Sequence, residues 1–253
     1  MRLVFLGTGT SCGVPVIGCQ CEVCQSADPR DKRTRCSALV ETDSTRLLID
    51  CGPDFRQQIM PQPFRRIDGI LITHSHYDHM GGMDDIRPYC QFGQIDVYAD
   101  PQARRSMLQM LPYCFAEHRY PGVPAIGLHE IRPHEPLHVG DLTIVPIQVM
   151  HGQLPILGFR IGKLTYITDM KTIDEGEMPY LEGTEVLVVN ALRFDKPHHS
   201  HQLVGDAVSF AHRVGARQTY LIHSCHDIGL HEEVNRHLPV NIQLAYDGQT
   251  VEI

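Results

Sequence analysis

The segment Ile70-Leu-Ile-Thr-His74-Ser-His76-Tyr-Asp78-His79-Met-Gly-Gly82 restricts this chain more than any other. A short apolar run leads into four metal-ligand side chains within six residues and then into a Gly-Gly turn. Alternate side chains of an extended backbone share a side, so His74 and His76 can reach one ion. Asp78 and His79 sit where the chain turns and can face a second ion nearby. Imidazole and carboxylate suit Zn²⁺, Mn²⁺ or Fe²⁺. Single histidines are ordinarily surface residues, but four ligands at this spacing behind a strand are not. Three further ligands repeat the setting: His151 closes Leu142–Met150, Asp169 closes Leu164–Thr168, and His223 closes Thr219–Ile222. Sheet proteins gather their sites at such strand ends.

Other short apolar runs predict strands at Leu3–Leu6, Leu47–Ile49, Gly69–Thr73, Asp96–Ala99 and Glu185–Val189. The clearest helix is Gln202–Val214, where Leu203, Ala207, Phe210, Ala211 and Val214 recur at three- and four-residue steps. Ser200 is placed to cap its start and Gly215 to end it. Pro101–Leu111 is a second helix, with proline in its first turn. Gly7–Gly18 and Arg193–His201 read as loops, and the proline-rich stretch Phe115–Asp141 as an insertion or lid. No repeat or linker divides the chain, so a single α/β domain over residues 1–253 is expected.

With 22 Lys+Arg against 30 Asp+Glu the net charge is −8, which argues against gripping nucleic acid by bulk charge. No run approaches the roughly 18 apolar residues that span a bilayer. The N-terminus carries one basic residue and an apolar run too short for a signal peptide. Nine cysteines, three of them in Cys19-Gln-Cys21-Glu-Val-Cys24, suit metal thiolates better than a disulfide ladder. A reduced, cytoplasmic protein is the expectation.

His74-X-His76-X-Asp78-His79, followed in order by His151, Asp169 and His223, resembles the metallo-β-lactamase superfamily across nearly the whole chain. The resemblance implies an α/β fold, a four-layer αβ/βα sandwich with the metals at one edge between two sheets. It also implies two divalent ions, zinc or manganese. One would be held by His74, His76 and His151, the other by Asp78, His79 and His223, with Asp169 bridging. Such a pair lowers the pKa of a shared water and clamps substrate oxygens as charge develops. Six of the seven ligands are neutral or shared, so an anionic substrate is acceptable despite the overall charge.

Gly7-Thr-Gly-Thr-Ser-Cys-Gly-Val-Pro15 with Cys19, Cys21 and Cys24 looks like the PhnP branch of cyclic-phosphate phosphodiesterases. In that branch three cysteines and a histidine hold a structural zinc, and the matching histidine is His226. Read from the residues alone, Cys225, Cys36 and Cys12 compete for the fourth position, while Cys51, Cys90 and Cys114 read as core. The resemblance further gives Asp78 and His201 catalytic roles, His201 donating a proton to the leaving oxygen or stabilising the phosphorane. His198 and His199 are weaker candidates, and Asn190-Ala-Leu-Arg193 departs from the branch. The seven histidines 118, 129, 134, 138, 212, 231 and 237 lack ligand spacing and are expected at the surface or in the lid.

The implied function is hydrolysis of a small or cyclic phosphodiester, with no membrane partner and none expected among nucleic acids. Dimers are common among relatives, which leaves a homodimer open. An RNase Z-like activity would want a basic arm that is absent here, and a thioester hydrolase would not need the cysteine cluster or His201. A β-lactamase would carry Cys in place of Asp169, and a diiron redox protein Glu in place of His76. From another class, a non-catalytic metal-binding carrier in a cofactor pathway fits the same ligands.

Overall fold

A computed structural model describes residues 1–253. Its fourteen strands are β1 (Arg2–Gly7), β2 (Ser37–Glu41), β3 (Arg46–Ile49), β4 (Gly69–Leu71), β5 (Ile95–Ala99), β6 (Ile126–Glu130), β7 (Leu137–Val139), β8 (Leu142–His151), β9 (Leu154–Ile161), β10 (Leu164–Tyr166), β11 (Val186–Asn190), β12 (Gln218–Ile222), β13 (Ile242–Leu244) and β14 (Thr250–Glu252). They form two seven-stranded sheets, ordered β14-β1-β2-β3-β4-β5-β6 and β13-β12-β11-β10-β9-β8-β7. Each sheet is antiparallel at one side and parallel at the other. The parallel halves are β3 to β6 in the first sheet and β10 to β13 in the second.

Period-two burial explains the layering. Leu3, Phe5, Leu47 and Ile49 point inward to meet Phe159, Tyr166, Val186 and Val188 of the opposite sheet. Their neighbours Val4 and Leu48 point outward, against Phe55, Ile59, Ala103 and Met107. On the other side Leu187, Val189 and Leu221 pack against Ala207, Phe210 and Ala211. The helices that cover the outer faces include Phe55–Ile59 and Pro101–Met110 on one side and Val204–Val214 and His231–His237 on the other. The result is the expected four-layer αβ/βα sandwich, and both faces of the parallel strands are apolar because both are covered. No helix is long and apolar enough to cross a membrane.

Three local expectations are corrected. Residues 115–141 are not one insertion: β6 adds to the edge of the first sheet and β7 to the edge of the second, so this stretch carries the chain from sheet to sheet. Ser200 does not cap the helix, which starts at Val204. The Asp206 carboxylate instead accepts from Leu203 N at 3.0 Å, and Gly215 (φ 71°) ends the helix as anticipated. His231 is buried rather than at the surface. Its Nδ1 lies 3.3 Å from Nη2 of buried Arg33, and its amide donates to Asp31 Oδ1 at 2.7 Å.

Candidate metal centres

The ligands converge because each follows a strand that ends at the same edge. β4 stops at Leu71, and the chain runs extended through His74 and His76 before the single helical turn Tyr77–Met80, which carries Asp78 and His79. The sharp return depends on glycine: a Cβ on Gly82 would fall 1.9 Å from Gly52 O, and one on Gly52 would fall 2.1 Å from Asp78 O. β8 ends on His151, while Asp169 and His223 lie just beyond β10 and β12. Asp50, Asp169 and His223 all have left-handed backbone, with φ of 59°, 55° and 54°. Such conformations cost roughly 1–3 kcal/mol each in non-glycine residues and persist where surroundings over-determine them.

All seven candidate ligands named from the sequence come together. His74, His76 and His151 form one group, Asp78, His79 and His223 another, and ligand atoms within each group lie within 4.8 Å of one another. Asp169 Oδ2 is 3.2 Å from His79 Nε2 and Oδ1 is 3.1 Å from His223 Nε2, and Asp169 also forms a set with His74 and His79 whose ligand atoms lie within 4.8 Å of one another, so it reaches both groups. His79 Nε2 is also 3.3 Å from Asp78 Oδ2. Yet Nε2 of both His79 and His223 is buried without a hydrogen-bond partner. The nitrogens therefore aim between the carboxylates rather than at them, as ligands of a shared cation do. Donor chemistry and orphaned nitrogens together fit divalent metal ions at this edge.

Two ligands owe their orientation to residues outside the set. His151 Nδ1 lies 2.8 Å from Asp169 O and 3.0 Å from Ser200 O, so it carries the proton and leaves Nε2 for metal. His79 Nδ1 lies 2.7 Å from Asp50 Oδ2. Asp50, fully buried, also accepts from Thr73 N at 2.8 Å and from Thr73 Oγ1, and Thr73 Oγ1 is 3.0 Å from His74 Nδ1. One carboxylate thus orients ligands of both groups. Sequence reasoning passed over Asp50, although it closes an apolar strand as Asp169 does.

The electrostatics suit a cation. Burial opposes ionisation of Asp78 and Asp169, but the imidazoles of His223 and His79 beside them hold both carboxyls well below the usual range. Burial is likewise outweighed at His79, where Asp169 and Asp50 push the pKa well above the histidine range. Burial, with His79 next to it, drives His74 the other way. His201 is buried beside the group, its Nδ1 3.7 Å from Asp169 Oδ1 and without a hydrogen-bond partner. Burial and His223 push it down to about 2, so its imidazole is neutral.

A second cluster lies beyond the first. The thiols of Cys19 and Cys21 are 3.3 and 3.2 Å from His226 Nδ1, and Cys24 completes a group of four. His226 thus occupies the fourth position, and Cys36 instead donates to Gly9 O. All nine cysteines are unbridged. The His226 contact lowers the Cys21 thiol to about 6, whereas burial raises Cys24 to about 11. Three sulfurs and one nitrogen fit a closed zinc site, which would pin the N-terminal loop three residues past His223.

Sandwich and paired clusters define a protein of the metallo-β-lactamase type, and a family model for the β-lactamase superfamily domain matches residues 45–224. The chain belongs to that superfamily, close to its PhnP family. It is 38% identical to a diphosphatase of that family, whose crystal structure superposes with a TM-score of 0.92 over 100% of this chain and 97% of the other. It is 45% identical over 249 residues to an octanoyltransferase of Porphyromonas gingivalis, covering 98% of this chain but only 51% of that protein. Zn²⁺-bound PqqB from Methylobacterium extorquens shares the fold, with a TM-score of 0.80 at 19% identity.

Proposed function

We propose that the chain is a two-metal hydrolase that cleaves a P–O bond of a small or cyclic phosphodiester. The observation that carries this reading is Asp169, placed between the His74/His76/His151 group and the Asp78/His79/His223 group. When bound there, the ions supply Lewis acidity and a lowered water pKa. The residues of the chain do the rest. Asp50 and the carbonyls of Asp169 and Ser200 fix ligand tautomers. His201 presents a neutral imidazole beside Asp169 and is flanked by His198, ring centroids 4.8 Å apart. A neutral imidazole donates a hydrogen bond to a phosphoryl oxygen more readily than it protonates a departing alkoxide. Of the two roles expected for His201, stabilising the oxygens of the phosphorane is therefore the better supported.

The same property favours a second reading. A diphosphate expels a weakly basic phosphate that needs no proton, and the 38% identical relative is a diphosphatase. The octanoyltransferase relative is about twice as long, and its activity is not carried over.

The test is to assay a chromogenic diester, an alkyl diester, a diphosphate diester and a thioester with metal content measured on each sample. His201→Ala should slow the preferred phosphate substrate about 10²–10³-fold with metals retained. An unchanged rate removes His201 from the mechanism. Two bound metals with no hydrolysis of any substrate would favour the carrier.

A further inference from the structure

Asp169–Lys171, after β10, and Ser200–Gln202, before the Val204–Val214 helix, are far apart in sequence but run side by side at the site. The N–H of His151 Nδ1 bridges the carbonyls of Asp169 and Ser200, at 2.8 and 3.0 Å. Gln202 N donates to Met170 O at 3.2 Å, and Lys171 Nζ donates to His201 O at 3.1 Å. Beneath this seam lies Asn190, the last residue of β11 and fully buried. Its Oδ1 accepts from Met170 N at 2.7 Å, and its Nδ2 donates to Met170 O at 3.0 Å. Its own carbonyl accepts from Gln202 Nε2 at 2.7 Å. Asn190 therefore grips the residue after Asp169 and, through Gln202, the residue after His201.

We propose that Asn190 and Gln202 are positioning residues that lock the His201 ring in register with Asp169. The inference rests on the phosphohydrolase reading only in assigning His201 to face substrate. His201 Nδ1 is buried without a hydrogen-bond partner. No hydrogen bond at that nitrogen fixes the imidazole, which stands 3.7 Å from Asp169 Oδ1. Its placement comes from the backbone of residues 200–202 and from the rings of His151, His198 and His223, with centroids 4.6–4.8 Å away. The backbone is held by the seam. Met170 has both its amide and its carbonyl engaged there, next to the left-handed Asp169. Freeing Gln202 would let the 200–202 segment shift, and a displacement of about 1 Å at a reacting centre can cost 10²-fold.

The experiment is a cycle of Gln202→Met and His201→Ala in the metal-loaded protein, read as kcat and KM on the phosphate substrate that the wild type hydrolyses. Gln202→Met removes one side-chain bond and leaves the backbone bonds of residue 202 in place. It should lower kcat about ten- to a hundredfold with KM and metal content nearly unchanged. In the His201→Ala background it should lower kcat no further. An equal fall in both backgrounds overturns the proposal, because the effect would then not pass through His201. Lys171→Met, which releases the His201 carbonyl at a partly exposed site, repeats the test should Gln202→Met fail to fold.

A second readout is independent of turnover: ring ¹⁵N resonances of labelled histidines. Gln202→Met should shift or broaden His201 and leave His76 in place, and an unmoved His201 overturns the proposal. Should the wild type hydrolyse no phosphate substrate, the functional reading falls while this arm still decides the seam.

Discussion

Replacing Asp50 by Asn tests whether a residue outside the ligand set governs metal affinity. Asp50 is fully buried, and its carboxylate accepts from His79 Nδ1 at 2.7 Å and from Thr73 N at 2.8 Å. Asparagine has the same shape and tolerates the left-handed backbone at this position, φ 59°, so neither volume nor strain changes. What is lost is the negative charge that holds the Nδ1 proton of His79 and leaves Nε2 for metal. Loss of such a partner typically weakens metal binding about 10–100-fold, or about 1.4–2.7 kcal/mol. Competition against a chromophoric chelator measures it directly. The ion held by Asp78, His79 and His223 should weaken by this factor, and the ion held by His74, His76 and His151 less, because only the Thr73 relay reaches His74. Wild-type affinity for both ions would refute the assignment of Asp50.

Three other outcomes follow from the same geometry. Cys21→Ser should remove about one zinc per chain and lower thermal stability while the His/Asp ions remain, as checked by elemental analysis and a melting curve. His79, held protonated by Asp169 and Asp50 in the metal-free protein, must lose that proton to bind metal. Affinity should therefore fall about tenfold per unit drop in pH for each proton displaced, and uptake should acidify an unbuffered solution. The raised pKa also means that this ion pairing stabilises the metal-free fold below the ordinary histidine pKa and is lost as pH rises through the higher folded value. Glu41 is buried among Arg65, Arg2 and Arg46, which outweigh burial and lower its pKa from 4.5 to about 2. Its contribution is present above pH 4.5 and lost as pH falls towards 2. Glu41→Gln should cost about 2–3 kcal/mol at neutral pH by urea unfolding, after discounting the two half-exposed arginines.

The convergence of the candidate ligands was legible because their spacing is local or tied to strand ends. His74 to His79 lie within six residues, and His151, Asp169 and His223 each follow a short β-branched run that reads as a strand. Strands such as β9, whose Pro155 and Gly158 break the pattern, and the three-residue β13 and β14 carried too little periodicity to be recognised. The cap at Leu203 was misplaced because Ser200 has the right chemistry but bonds to His198 Nδ1, at 3.2 Å, within its own loop. Asp50 was passed over, and Asn190 and Gln202, noted only as a departure from the branch and as a helix start, were given no positioning role for a different reason. Each acts on residues distant in the chain: Asp50 closes an apolar run as Asp169 does, but its partners Thr73 and His79 lie more than twenty residues on, and nothing local marks Asn190 or Gln202 as buried. His226 could be favoured over Cys225 only through the resemblance, and the distances to Cys19 and Cys21 now choose it geometrically.

Anomalous scattering from crystals of the purified protein, collected at the absorption edges of the metals found by elemental analysis, tests the central claim most directly. The account predicts two adjacent peaks flanking Asp169, one against His74, His76 and His151 and one against Asp78, His79 and His223, with a separate zinc peak among Cys19, Cys21, Cys24 and His226. Crystals grown with zinc or manganese that show one ion or none around Asp169 would contradict it.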